Sequence, residues 1–236
     1  MEMFDCIGFI GVGVMGEPMC RNLALKGGDK VLAYDIDSAP LERLAADGVV
    51  AADSLAELCA KTHTILMSLP DGELVRLACY GEHGLLEKLT SGQSVIDCGT
   101  SPPQLARELH QAFAAKNIAF ADAPVARTRQ AAIDGTLSIM VGGDKSVFDR
   151  IQPILACMAS DITHCGEPGA GQTVKILNNM MLFQNCAAIA EALAIARRAG
   201  LDEELFLQTV GKSSGDSFAL RNHATKAMLP RDYPEG

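Results

Sequence analysis

Lys175, Asn178 and Asn179 stand at positions i, i+3 and i+4. A helix drawn through them brings all three onto one face. The residues that follow are rich in Ala, Met, Leu and Ile, which predicts a largely buried helix. Burial lowers the pKa of a lysine, and an unpartnered buried ammonium is costly. A desolvated amine beside two amides therefore suits proton transfer to or from a hydroxyl. A solvated lysine near a helix start, with asparagines acting as caps, fits the same three residues, and spacing alone does not choose.

A second constellation lies near the other end of the chain. Gly11-Val12-Gly13-Val14-Met15-Gly16 follows a predicted strand and opens a predicted helix. In that context the glycine spacing points to a dinucleotide site. Gly11 permits the tight turn, Gly13 lets backbone approach a pyrophosphate, and Gly16 lets helix and strand pack closely. The helix N-terminus then offers unpaired N–H groups to the phosphates, and Val14 and Met15 complete the candidate cofactor loop. The next strand is expected to end at Asp35, 19 residues beyond Gly16. A carboxylate there accepts hydrogen bonds from ribose hydroxyls and repels a 2′-phosphate, which favours NAD(H) over NADP(H). Asp37 is the weaker candidate for that role, and no arginine directly follows Asp35.

Composition sets other classes aside. The 236 residues are 48% hydrophobic and carry a net charge of -9 without a Lys/Arg cluster, so the basic face of a nucleic-acid binder is missing. The eight cysteines (6, 20, 59, 79, 98, 157, 165 and 186) form no C-x-x-C pair. Apart from the adjacent His164-Cys165, no histidine lies at ligand spacing from another His or Cys, so no metal site is expected. Most of the cysteines sit in apolar runs and read as reduced, structural thiols of a cytoplasmic protein. His63, His83, His110, His164 and His223 stand outside any motif, and no Ser-His-Asp arrangement or nucleophile elbow is present. No apolar stretch near the start has the flank of a signal peptide. The most apolar long stretch, 180–196, is interrupted by Gln184, Asn185 and Glu191. It reads as a buried helix and not as a membrane span.

These candidates need a scaffold, and the hydrophobic pattern supplies one. Strands are expected at 6–11, 30–35, 64–69, 94–98, 118–121 and 136–141. Helices are expected at 17–26, 40–47, 72–79, 103–116 and 147–157. Alternation of this kind predicts an α/β fold, a Rossmann-type doubly wound parallel sheet. Near Cys165 the character changes. Gly166-Glu167-Pro168-Gly169-Ala170-Gly171 is rich in breakers. A long Ala-rich helix is expected over about 172–199, with Gly200 as its stop, then a shorter one over 202–212. The expected domains are an NAD-binding unit over 1–163 and an all-helical unit over 164–236. The apolar face of the long helix is too broad for the helices that follow it, which predicts a homodimer or homotetramer.

Five ordered segments resemble the β-hydroxyacid dehydrogenase family, whose members include 3-hydroxyisobutyrate dehydrogenase, tartronate semialdehyde reductase and sulfolactaldehyde reductase. They are Gly8-Phe9-Ile10-Gly11-Val12-Gly13-Val14-Met15-Gly16 with Asn22-Leu23, Ser68-Leu69-Pro70-Asp71, and Asp97-Cys98-Gly99-Thr100-Ser101-Pro102-Pro103. Asp122-Ala123-Pro124-Val125 with Gly135-Thr136-Leu137 is the fourth, and Gly169-x-Gly171-Gln172-x-x-Lys175-x-x-Asn178-Asn179 the fifth. The resemblance covers essentially the whole chain. It implies NAD-dependent interconversion of a short, anionic β-hydroxy acid and its semialdehyde. By the same resemblance, Lys175 is the general acid/base, Asn178 and Asn179 contact substrate, Leu69 and Pro70 lie along the cofactor, and Thr100 contacts cofactor or substrate.

Three departures matter. Ala126-Arg127-Thr128 stand where most of the family has Ser-Gly-Gly. This resembles the sulfolactaldehyde reductases, so Arg127 is expected to anchor an anionic head group, a sulfonate being the alternative to a carboxylate. Gly99 replaces a usual serine. Lastly, family members continue past a segment like Met228-Leu229-Pro230-Arg231-Asp232-Tyr233 into further helices, one carrying a second active-site lysine. The helical unit is therefore expected to be incomplete, which supports an alternative reading from another class, a weakly active or inactive dinucleotide-binding protein.

Overall fold

The computed structural model describes residues 6–233. Its chain divides into two compact units, one ending at Lys175 and one beginning at Ile176.

The first unit is built on one sheet. Strands β1 (Cys6–Ile10), β2 (Lys30–Tyr34), β3 (Val50–Ala51), β4 (Thr64–Met67), β5 (Ser94–Asp97), β6 (Ala119–Asp122), β7 (Val125–Ala126), β8 (Leu137–Gly142) and β9 (Ala159–Gly166) contribute to it. The spatial order is β3-β2-β1-β4-β5-β6-β8-β7, with β9 also paired to β8. From β3 to β6 every pairing is parallel. The expected all-parallel sheet ends there. β8 runs antiparallel to both β6 and β7, and β9 runs parallel to β8. β7 and β8 are joined only by a short helix, too short for a full crossover.

Helices cover both faces of the sheet. They are α1 (Gly16–Lys26), α2 (Ser38–Ala45), α3 (Leu55–Lys61), α4 (Gly72–Tyr80), α5 (Leu85–Lys88), α6 (Pro103–Ala114), α7 (Arg129–Asp134) and α8 (Lys145–Leu155). Strand residues alternate between two cores, as the period of 2 requires. Phe9, Leu66, Ile96 and Ala121 pack with Met19 and Leu23 of α1 and Phe148 and Ile151 of α8. Ile10, Ile65, Met67, Val95 and Phe120 pack with Leu58 of α3, Val75 of α4 and Leu109 and Phe113 of α6. Polar caps fix several helix starts: Asp37 accepts from Ala39 N, Ser54 from Glu57 N and Asp71 from Leu74 N.

The expected boundary at 163 falls within β9. That strand escapes sequence reading because Ser160, Asp161, Thr163 and His164 interrupt its apolar pattern. β3, α3, α5, β7 and α7 are also absent from the expected elements, each being seven residues or fewer.

The second unit contains most of α9 (Ala170–Arg198), α10 (Glu203–Val210) and a wider, π-helical segment Leu220–Met228. Ile189, Leu193, Leu207, Ala219, Leu220 and Ala224 form its small core. The expectation that the long helix is largely buried does not hold. Leu177, Met180, Met181, Phe183 and Ile195 are 47–67% exposed, because nothing else among the described residues packs over them.

Candidate active site at the carboxyl edge of the sheet

The strand ends line up. Ile10, Met67, Asp97 and Asp122 are register partners across β1, β4, β5 and β6. Each strand passes into its loop with the same step: Ser68 N donates to Ile10 O, Cys98 N to Met67 O, and Ala123 N to Asp97 O. The loops 11–16, 68–70 and 98–101 therefore emerge side by side from the carboxyl edge of the parallel strands, where ligands bind in open α/β sheets.

The glycine loop is shaped by what side chains would strike. Gly11 sits at φ +86, and a Cβ there would lie 2.4 Å from Ser68 O. A Cβ on Gly16 would lie 1.9 Å from Gly11 O. At Gly13 a Cβ would meet no protein atom within 4 Å. Two of the glycines thus serve the packing of loop, strand and helix. Gly13 faces open space at the start of α1, where a phosphate can reach backbone N–H groups. Val14 is exposed and Met15 half-buried. β2 ends at Tyr34, one residue short of the expected end, so Asp35 follows it directly, and its carboxylate accepts from Val12 N at 2.6 Å and from Asp37 N at 2.9 Å. A carboxylate has about four acceptor positions, so capacity for ribose hydroxyls is left. These residues fit a dinucleotide without a 2′-phosphate. Asp37 itself is committed to capping α2.

Leu69 is half-buried and Pro70 exposed. The Gly99 departure has a local cause, since a Cβ there would come within 2.9 Å of Leu69 O. Thr100 beside it is exposed, and Ser101 is buried.

A buried polar network, not singled out in the sequence, ties these loops to the start of α9. Asp97 accepts from Gly99 N at 3.0 Å and Ser101 Oγ at 2.8 Å. Gln172 donates from Nε2 to Gly99 O at 2.9 Å and accepts at Oε1 from Ser101 N at 3.0 Å. Asp122 accepts from Gly169 N at 2.7 Å and Gln172 N at 2.8 Å, acting as the N-terminal cap of α9. Burial pushes the Asp97 carboxyl up to about 7, with the Asp122 charge adding to it. Burial also raises Asp122, against the N–H groups of Gly169, Gln172 and Gly171. In the sequence these residues stand only within the separate segments 97–103, 122–125 and 169–179, with nothing to join them.

Lys175 stands one turn beyond Gln172. It is half-buried, and desolvation holds its ammonium below the usual lysine range. In the second unit, Asn178 is exposed and Asn179 half-buried, and the two amides contact each other at 3.4 Å.

Arg127 follows β7 in left-handed backbone, at φ 87. Its guanidinium donates to Thr136 O, to Ser160 Oγ at 2.8 Å and to Asp161 Oδ2 at 2.6 Å. Its donors thus bind groups of this chain along the β8–β9 edge.

Residues 6–166 match the sequence family described as the NAD binding domain of 6-phosphogluconate dehydrogenase. Residues 169–236 match that described as NAD-binding of NADP-dependent 3-hydroxyisobutyrate dehydrogenase. The 2-(hydroxymethyl)glutarate dehydrogenase of Eubacterium barkeri is 38% identical over 236 residues, covering 100% of this chain and 78% of that enzyme. The 3-hydroxyisobutyrate dehydrogenase of Pseudomonas aeruginosa is 39% identical over 214 residues, covering 91% and 72%. Among solved structures, Mycobacterium tuberculosis 3-hydroxyisobutyrate dehydrogenase with L-serine superposes with a TM-score of 0.89 at 33% identity, covering 99% of this chain and 81% of that one.

Proposed function

The chain belongs to the β-hydroxyacid dehydrogenase family, and from that premise we propose how its residues divide the work of an NAD-dependent hydroxyacid dehydrogenase. Bound NAD supplies hydride acceptance or donation at the substrate carbon. The protein supplies the proton. Lys175, as the neutral amine, takes the hydroxyl proton during oxidation and returns it during reduction. The observation that carries this reading is the placement of Lys175: half-buried, its charged form disfavoured by burial, one helical turn from Gln172, which binds the residues on both sides of Thr100.

Gly11, Gly13, Val14, Met15 and Gly16 hold the pyrophosphate, Asp35 the adenosine ribose, and Leu69, Pro70 and Thr100 the nicotinamide half. Thr100, Asn178 and Asn179 hold a short β-hydroxy acid or its semialdehyde. Arg127 contacts the acidic head group only if its fork leaves Asp161, so a carboxylate substrate is favoured over one selected for a sulfonate. The unit ending at Lys175 is assigned to the cofactor and that beginning at Ile176 to substrate and assembly.

α9 is long and apolar enough to cross a membrane by composition alone. Lys175, Asn178, Asn179, Gln184, Asn185 and Glu191 along it favour a protein interface instead, in a cytoplasmic homodimer or homotetramer. The functional reading is tested by following NADH formation over a panel of short β-hydroxy acids, with 3-hydroxyisobutyrate and L-serine included, and NADPH formation in parallel. Turnover with NAD on at least one of them is expected. Tight NAD binding with no turnover on any would instead support the non-enzymatic alternative.

A further inference from the structure

The first turn of α9 is packed closely against the sheet. Gly171 has a buried backbone, and a Cβ there would lie 2.3 Å from Met140 O. Gly142 opposite is equally tight, its added Cβ falling 2.6 Å from Asp122 Oδ1. The helix start is therefore pressed against β6 and β8 and capped by Asp122. What these contacts leave undetermined is the loop bearing Thr100, which belongs to β5. Asp97 holds that loop to its own strand through Gly99 N and Ser101 Oγ, and among the described residues the Gln172 side chain hydrogen-bonds it to the helix. That side chain is fully buried at 0% exposure and uses a donor on Gly99 O and an acceptor on Ser101 N. A carboxamide is the side chain suited to this pair, because it presents both functions side by side. An apolar residue would leave two buried backbone groups unpaired, and glutamate would bring a third carboxylate to Asp97 and Asp122.

We propose that Gln172 is a positioning residue for the reaction, locking the Thr100 loop to the helix so that Lys175, three residues further on, is held at a fixed depth beside it. Three residues of helix advance about 4.5 Å along the axis and return to nearly the same face. A loop released from Gln172 thus shifts directly next to the amine and admits water to it. The inference rests on the reading of Lys175 as the acid/base group.

The test compares wild type with Gln172→Met, an apolar near-isostere, and Gln172→Asn, which keeps the amide but shortens its reach. Melting temperature and NAD affinity identify whichever variant remains folded. In that variant kcat is expected to fall on the order of tenfold to a hundredfold, with a smaller change in KM. The acid limb of the pH profile should move upward, because a better-hydrated Lys175 regains its ordinary pKa. An unchanged kcat, or a fall in kcat without movement of the limb, overturns the proposal and leaves the assigned activity standing. Loss of fold in both variants also overturns it, making Gln172 a structural residue. A wild-type enzyme that turns over no hydroxy acid removes the functional reading and this inference with it.

Discussion

Asp97 and Asp122 are direct partners across the β5–β6 pair, and neither carboxylate reaches solvent. Two buried like charges side by side raise the cost of ionising both. Burial first, with the Asp122 charge adding to it, moves Asp97 from 3.8 up to about 7. A carboxyl raised in the folded state is protonated there while its unfolded counterpart is ionised. Its contribution to stability is complete at the acid end and is lost as pH rises from about 4 to about 7. Asp97→Asn keeps the neutral shape. Urea unfolding at a series of pH values should show the variant gaining on wild type across that window. A variant that loses ground as pH rises would contradict the assignment.

The three loop glycines should respond differently to alanine. Gly13→Ala adds a methyl to open space, so the melting temperature should barely change while NAD binding weakens about tenfold or more. Gly16→Ala forces a methyl onto Gly11 O and should lower stability by roughly 1–3 kcal/mol. Calorimetry of folding and of NAD binding separates the two effects. Equal thermal damage in both variants would mean that Gly13 also serves packing.

In the proposed site Asp35 is assigned the cofactor choice. Asp35→Ala removes the acceptor of Val12 N and the charge that repels a 2′-phosphate. NAD should bind on the order of tenfold more weakly, and NADP should bind better than it does to wild type. An unchanged ratio of the two dissociation constants would place the discrimination elsewhere.

The exposed stripe of α9 predicts assembly. Met181 and Phe183 are 61% and 67% exposed, a large apolar area for one helix. Light scattering should report a dimer or larger for wild type and a smaller species for Met181→Glu or Phe183→Glu. A wild-type monomer at micromolar concentration would refute the assembly.

Local features were the ones legible in sequence. Gly11, Gly13, Gly16 and Asp35 act within two strands and one helix, so spacing alone exposed them. The link from Asp122 to Gln172 spans 50 positions and exists only because α9 begins where β6 ends. Arg127 reads as an anion anchor until Asp161, 34 residues on, is seen to take its fork. The buried long helix was misread for a related reason. Its apolar composition suggested burial, whereas the breadth of its apolar face against the few helices that follow pointed to the exposure found.

The central claim is that Lys175 moves the proton, and single-turnover NADH formation on the best substrate tests it most directly. Lys175→Met should bind NAD as wild type does and lose about 100-fold to 10,000-fold in rate. A variant that reduces NAD within about threefold of the wild-type rate would contradict the claim.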